Sequence, residues 1–372
     1  MREMTTSLPP SPVPASPRPD GPVLITGGAG FIGCNLADHL AGEGHDVVVY
    51  DSLARAGVAA NLEGLTARHP RRIRPVVADI RDEAALSKVV ETASVVFHLA
   101  GQVAVTTSLV DPRTDFEVNL AGTLNLLEAL RRKPLPLVFA STNKVYGNLG
   151  GIALERSGET YRPVDAALRR YGVGEDRALD FHTPYGCSKG AADQYVLDYA
   201  RSFGVPAAVL RMSCIYGPHQ LGTEDQGWVA HFLIRALRRE PIFVYGDGHQ
   251  VRDILHVADA VAAYVSAWDR IGAVAGQAFN LGGGAQNAVS LQDVLAQLPA
   301  LVGAPVDLRF GPWRAGDQRW YVSDTRRVRG ALDLPEPLPW RDGLGDLARW
   351  LGGREDGAGE RASRPDFAGA AG

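Results

Sequence analysis

Short apolar runs alternate with amphipathic stretches along most of the chain. Residues 22–26 (Pro-Val-Leu-Ile-Thr) form an apolar run that ends in glycines. Residues 31–43 then follow helical periodicity, and 46–50 read as a second buried strand. Runs at 73–78, 94–99 and 135–139 continue the strand series, and helices are predicted at 82–91, 114–132 and 188–203. Strands this apolar, separated by helices, predict an α/β fold with a doubly wound parallel sheet. Beyond the strand-like 207–211 the pattern loosens. Helices fit 228–238, 259–268, 291–298 and 340–351, and a strand at 241–245 runs into the turn Gly246-Asp247-Gly248. This later part reads as a smaller C-terminal lobe. The expected organisation is a first domain over 21–211 and a lobe mainly over 212–351, some segments of which return to the first domain. The ends, 1–20 and 352–372, are rich in Pro/Ser and Gly/Ala and are expected to be disordered.

Composition changes this picture little. The 372 residues carry a formal net charge of −4, an ordinary globular balance that argues against a nucleic-acid partner. No apolar run is long enough for a membrane helix, and the first 20 residues lack the apolar core of a signal peptide. Cys34, Cys187 and Cys214 lie far apart without metal-ligand spacing, so no metal is expected and the thiols fit a reducing cytoplasm. Of 38 basic residues only four are lysine: Lys88, Lys133, Lys144 and Lys189. A lysine inside a chemical motif therefore stands out.

The first such motif is glycine-rich. Thr26-Gly-Gly-Ala-Gly-Phe-Ile-Gly33 follows the first strand and opens a helix. Gly27, Gly30 and Gly33, with Phe31 and Ile32 between them, would let backbone approach a pyrophosphate at a helix N-terminus. Asp51 ends the second strand eighteen residues beyond Gly33, near the spacing of a ribose-binding carboxylate. The sheet is therefore expected to be a Rossmann-type dinucleotide site. Asp51 would repel a 2′-phosphate and so favours NAD, with Ser52 beside it. Arg55 nearby reads as a surface cation or as an adenine-stacking group. Asp79-Ile80 and Leu99-Ala100-Gly101 follow the third and fourth strands, where an open α/β sheet binds its ligand.

Tyr185-Gly-Cys-Ser-Lys189 places tyrosine and lysine one helical turn apart on one face. An ammonium near the phenol would favour phenolate and lower the tyrosine pKa, and it could also hold a ribose. Ser141-Thr142, after the 135–139 strand, is placed to supply a hydroxyl that polarises a sugar oxygen.

Over roughly residues 22–350 the chain resembles an extended short-chain dehydrogenase/reductase of the nucleotide-sugar epimerase/dehydratase group. The resemblance rests on 26–33, His98-Leu-Ala-Gly101, Asn119-Leu-Ala-Gly-Thr123, Val145-Tyr-Gly147, Tyr185 with Lys189, Arg211 with Tyr216-Gly-Pro218, and 246–253. A narrower likeness, to the CDP-paratose (CDP-tyvelose) 2-epimerase branch, is carried by 141–147, 179–195, Asp225-Gln-Gly-Trp228 and Asp317-Gln-Arg319. The resemblance implies a triad of Thr142, Tyr185 and Lys189. It also implies NAD that stays tightly bound and is recycled, with Asn119 and Ser141 on the cofactor side. The implied reaction is inversion of one sugar carbon of a nucleotide-diphosphate sugar without net redox change, in the narrower branch at C2. A homodimer paired through 114–132 and 188–203 is further implied. Leu124, Leu127 and Leu130 suit either that interface or packing on the sheet.

On the substrate side, Arg252 and Arg314 fit diphosphate-clamping positions. Gln102, Asn143 and Gln226 could meet the sugar. Cys214 stands where many relatives carry asparagine. Lys144 faces substrate or pairs on the surface, and His182 either tunes the phenol or is an ordinary loop histidine. The competing enzymatic readings are a 4-epimerase, a dehydratase or a decarboxylase acting on a UDP-, GDP- or CDP-sugar. Thr142-Asn143-Lys144 lacks the acidic pair usual in dehydratases. A non-catalytic NAD-binding sensor would be expected to lack Tyr185 or Lys189, and both are present.

Overall fold

The computed structural model describes residues 20–314 and 317–362, with side chains described to residue 353. The expected N-terminal tail, apart from Asp20, lies outside these residues, as does 363–372. Seven strands form the central sheet: β1 (Val23–Thr26), β2 (Val47–Asp51), β3 (Ile73–Val77), β4 (Val95–His98), β5 (Leu137–Thr142), β6 (Ala207–Met212) and β7 (Gln277–Leu281). Their order is β7-β6-β5-β4-β1-β2-β3, and every pair is parallel. The order reverses direction between β1 and β4, the place where such sheets bind ligands beyond their strand ends.

The inner strands are buried on both faces, which explains their unbroken apolar runs. One face packs against Leu36, Leu40, Tyr264 and Trp268, the other against Leu126, Leu127, Leu130 and Val196. Leu127 and Leu130 are thus sheet core and not interface, while Leu124 is only partly buried.

The two lobes interleave. β7 and the helix Val257–Asp269 belong to the first core, although both come late in the chain. Conversely, a hairpin (Leu154–Ser157 with Thr160–Pro163) and the helix Ala166–Tyr171 form an insertion after β5 that the hydropathy pattern did not announce. Its neighbours Tyr146, Leu149 and Ile152 pack with Val251, Trp320 and Tyr321 of the later lobe. The terminal helix Trp340–Ala362 enters the stretch expected to be disordered. No helix among the described residues is long and apolar enough to cross a membrane.

Candidate active site

β1 delivers the chain into the glycine turn at the switch point. Gly27 has φ +70°, and a Cβ there would stand 2.6 Å from the Ala100 nitrogen. A Cβ on Gly33 would stand 2.3 Å from the Gly27 oxygen. The turn thus folds tightly onto itself and onto the wall formed by Leu99, Ala100 and Gly101, and larger residues would push it open. Gly30 precedes the helix Phe31–Gly42, whose first amides no side chain caps. At the end of β2, Asp51 is fixed from two sides: Oδ2 accepts from the Ala29 amide at 3.0 Å and Oδ1 from the Leu53 amide at 2.9 Å. A close-packed glycine turn, an uncapped helix start and an oriented carboxylate fit a dinucleotide's pyrophosphate and ribose.

Several expected cofactor contacts are differently used. The Asp79 carboxylate is held in a fork by Arg81, Oδ1 to Nε at 2.9 Å and Oδ2 to Nη2 at 2.8 Å, which fixes its orientation. Ile80 is buried where a Cβ on Gly122 would touch it, and serves packing. Ser52 is exposed and caps the Ala54 amide at 3.4 Å. Arg55 reaches the Leu221 carbonyl at 3.4 Å and lines a small recess with Phe31, Asn61 and Gln226. Gln226 therefore sits beside cofactor-side residues. Ser141 donates to Asp193 at 2.7 Å.

Asn119 lies in a π-helical turn, Glu117–Ala121, and its amide braces the loop after β4. Its Oδ1 accepts from the Gln102 amide at 2.9 Å and its Nδ2 donates to the Gln102 carbonyl at 3.0 Å. The Gln102 side chain is closed as well, donating to Asp115 and to the Ala104 carbonyl, both at 2.9 Å. Each of the two side chains also bridges the loop to the buried Asp115.

The helix carrying Tyr185 begins earlier than its periodicity suggests, at Thr183, and runs to Phe203. Thr183 adopts φ +64°, a costly conformation for a β-branched residue, two positions before the tyrosine. The Tyr185 amide donates to Ser108 Oγ at 3.2 Å. The phenol is buried and hydrogen-bonded to the Thr142 hydroxyl at the end of β5. Thr142 also accepts from the Lys144 amide at 3.2 Å. Lys189 Nζ lies 4.3 Å from the centre of the Phe139 ring and near the Gly101 wall, where a Cβ would come within 3.9 Å of it. The structure thus joins Thr142 to Tyr185 and places Lys189 one helical turn beyond the tyrosine.

The electrostatics differ from the sequence expectation. Burial pushes the Tyr185 phenol up to about 12; the Thr142 bond opposes this and the Asp115 charge adds to it. Burial likewise pushes Lys189 down to about 8, against the pull of Asp193 and Asp115. Desolvation is the largest cause of both shifts. Asp115 and Asp193, missed in the sequence, are the charges that favour the Lys189 ammonium. Asp193 lies one helical turn beyond it, the one signal that pointed there.

Several residues expected on the substrate side form a cluster of their own. Lys144, Cys214, Arg252 and Asp317 are close enough to influence one another's charge, and Lys144 is pushed down to about 8 by burial and then by Arg252. The Trp228 indole donates to Cys214 Sγ at 3.5 Å. Buried Arg252 pairs with Asp317 at 2.6 Å. Arg314 stands 3.8 Å over the Tyr245 ring and pairs with Glu224 at 3.1 Å and Asp225 at 3.5 Å. Asn143 is buried beside Thr142, its Oδ1 accepting from that hydroxyl at 3.4 Å. His182 pairs with Asp180 at 3.1 Å. Among the described residues no cluster of three or more His, Cys, Asp or Glu could hold a metal ion.

The chain is 40% identical over 339 residues to the CDP-paratose 2-epimerase of Salmonella typhi, covering 88% of this chain and 98% of that protein. In structure it resembles the UDP-glucose 4-epimerase of Thermotoga maritima solved with UDP-glucose, with TM-score 0.77 and 28% identity, over 90% of this chain and 99% of the other. It also resembles the Thermus thermophilus UDP-glucose 4-epimerase solved with NAD, with TM-score 0.75 and 30% identity, over 89% and 99% of the two chains. The model of the NAD dependent epimerase/dehydratase family matches residues 23–282, so the chain belongs to that family.

Proposed function

We propose that this protein inverts C2 of a CDP-linked sugar, using bound NAD and the triad Thr142, Tyr185 and Lys189. The observation that carries the reading is the hydrogen bond between Thr142 and Tyr185, with Lys189 one helical turn beyond the tyrosine and close to Gly101 of the dinucleotide cradle. The 40% likeness to a CDP-paratose 2-epimerase over nearly the full length supports the choice of carbon and nucleotide.

NAD, when bound, supplies reversible hydride acceptance and return at the sugar carbon. The glycine turn and the first amides of the helix Phe31–Gly42 hold its pyrophosphate, Asp51 its adenosine ribose, and Lys189 its nicotinamide ribose. Tyr185 Oη moves the accompanying proton. As phenolate it takes the proton from the C2 hydroxyl while that carbon becomes a carbonyl. After the ketosugar turns over, the phenol returns the proton to the same oxygen. The Thr142 hydroxyl stabilises the phenolate and orients the sugar oxygen. Burial of the phenol excludes water, which protects the ketosugar and raises the electrostatic value of each contact. Arg252 and Arg314 grip the diphosphate, while Lys144 and Cys214 line the sugar pocket.

Leu109, Val110, Phe116 and Tyr195 are exposed on neighbouring helices of the first domain and support a homodimer through that face. Three free cysteines support a cytoplasmic location. The reading is tested by denaturing the purified protein, identifying the released nucleotide, and incubating the native protein with CDP-, UDP- and GDP-sugars. Released NAD and a C2 epimer of a CDP-sugar are expected. Inversion at C4, or elimination of water, would replace this reading with the corresponding alternative.

A further inference from the structure

The segment 217–227 crosses from the later lobe to the dinucleotide side. Asn35 Nδ2 donates to the Pro218 carbonyl at 2.9 Å, Asn61 Nδ2 to the His219 carbonyl at 3.3 Å, and Arg55 Nη2 to the Leu221 carbonyl at 3.4 Å. At the other end of the same strap, Glu224 and Asp225 are spent on Arg314. Its Nη1 donates to the Glu224 carbonyl at 2.9 Å, its Nη2 meets Glu224 Oε1 at 3.1 Å, and its Nη1 lies 3.5 Å from Asp225 Oδ1. Tyr245 contributes twice, with its ring beneath the guanidinium and its hydroxyl bonded to the Glu224 carboxylate. The fork of Arg314 thus already holds oxygen acceptors of the kind a diphosphate would offer.

We propose that Glu224 and Asp225 are an internal counter-ion for Arg314 which the diphosphate of the substrate must displace, making them determinants of affinity and of selection for a diphosphate. The proposal rests on the reading of Arg314 as a diphosphate clamp. The pair is accessible: the Arg314 side chain is 28% exposed and the two carboxylates 45% each. Exposed pairs of this kind are weak, so a ligand with more charge and fork-matching oxygens can replace them. The Tyr245 ring keeps the guanidinium extended once the carboxylates leave, so the clamp is preorganised at little entropic cost. A monophosphate that does not reach Arg314 leaves the carboxylates in place and gains nothing from their removal.

The test is calorimetric titration of the NAD-loaded protein with CDP and CMP, repeated with UDP and UMP. The Glu224→Gln/Asp225→Asn double variant is expected to bind the diphosphate tighter by up to about fivefold, the range of a weak exposed ion pair, with monophosphate affinity unchanged. Full NAD retention by the variant will show that its fold is kept. Diphosphate affinity that stays constant or falls overturns the proposal, as does an equal gain for the monophosphate. Arg314→Ala separates the two layers: it should weaken diphosphate binding and abolish the gain from the double variant. If Arg314→Ala leaves diphosphate affinity unchanged in the otherwise native chain, the clamp reading itself fails.

Discussion

Arg211 holds Asp193 in a buried two-pronged pair, Nε to Oδ2 and Nη2 to Oδ1, each at 2.9 Å. Asp193 also accepts the Ser141 hydroxyl, and Arg211 reaches the Tyr146 hydroxyl at 3.1 Å. One ion pair therefore ties β5, β6 and the helix of Tyr185 and Lys189 together directly beneath the triad. The Asp193 charge also opposes the lowering of Lys189 by burial.

Asp193→Ala leaves the Arg211 guanidinium buried without its counter-charge. Breaking one partner of such a pair costs about 3–5 kcal/mol, so the midpoint of chemical denaturation should fall steeply. Lys189 loses a stabilising carboxylate in the same variant, and NAD retention should fall with stability. An unchanged midpoint would mean that the pair does not brace the site.

Tyr185→Phe keeps the buried ring and removes only the proton carrier. Epimerisation should drop by about 10²–10⁴-fold, the usual contribution of a positioned acid–base group, while bound NAD is retained. Product formation followed by NMR checks the first claim, and absorbance of released nucleotide checks the second.

Asp51→Ala removes an acceptor already aimed by two backbone amides. Losing a charged hydrogen bond of about 1.5–3 kcal/mol should weaken NAD by roughly 10–100-fold, leaving the purified protein largely empty. Nucleotide content per chain after denaturation measures this.

Lys189 sits at about 8 in the folded protein against an ordinary 10.5. Between these values the unfolded chain binds a proton that the folded one lacks, so stability rises with pH across that window. Denaturation of NAD-free wild type and Lys189→Met should show the wild type gaining on the variant from pH 8 towards 10.5, by up to about 3 kcal/mol. A pH-independent difference would show that burial does not set the lysine's charge.

The cradle was legible because its signals are local. Gly27, Gly33 and Asp51 lie within one strand–turn–helix–strand unit, and their spacing encodes the shape. Tyr185 and Lys189 were legible for the same reason, as neighbours on one helical face. What escaped was competition among side chains far apart in the chain. Nothing near Gln102 shows that its amide closes on Asp115, and nothing near Ser141 shows that its hydroxyl belongs to Asp193. The fork of Arg81 on Asp79 escaped for a different reason: the two are only two residues apart, and an extended-chain view does not reveal it. The insertion after β5 was missed because its strands are only four residues long, partly exposed and without an apolar alternation to mark them.

In the proposed reaction one carbon of a CDP-sugar is inverted by removal and return of the same hydrogen, with Tyr185 moving only the hydroxyl proton. It is tested most directly by incubating the purified protein with CDP-sugars in D2O and following the products by NMR. Inversion at C2 with no deuterium on that carbon is the expected result. Deuterium at the inverted carbon would contradict the mechanism, and failure to convert any CDP-sugar would contradict the substrate.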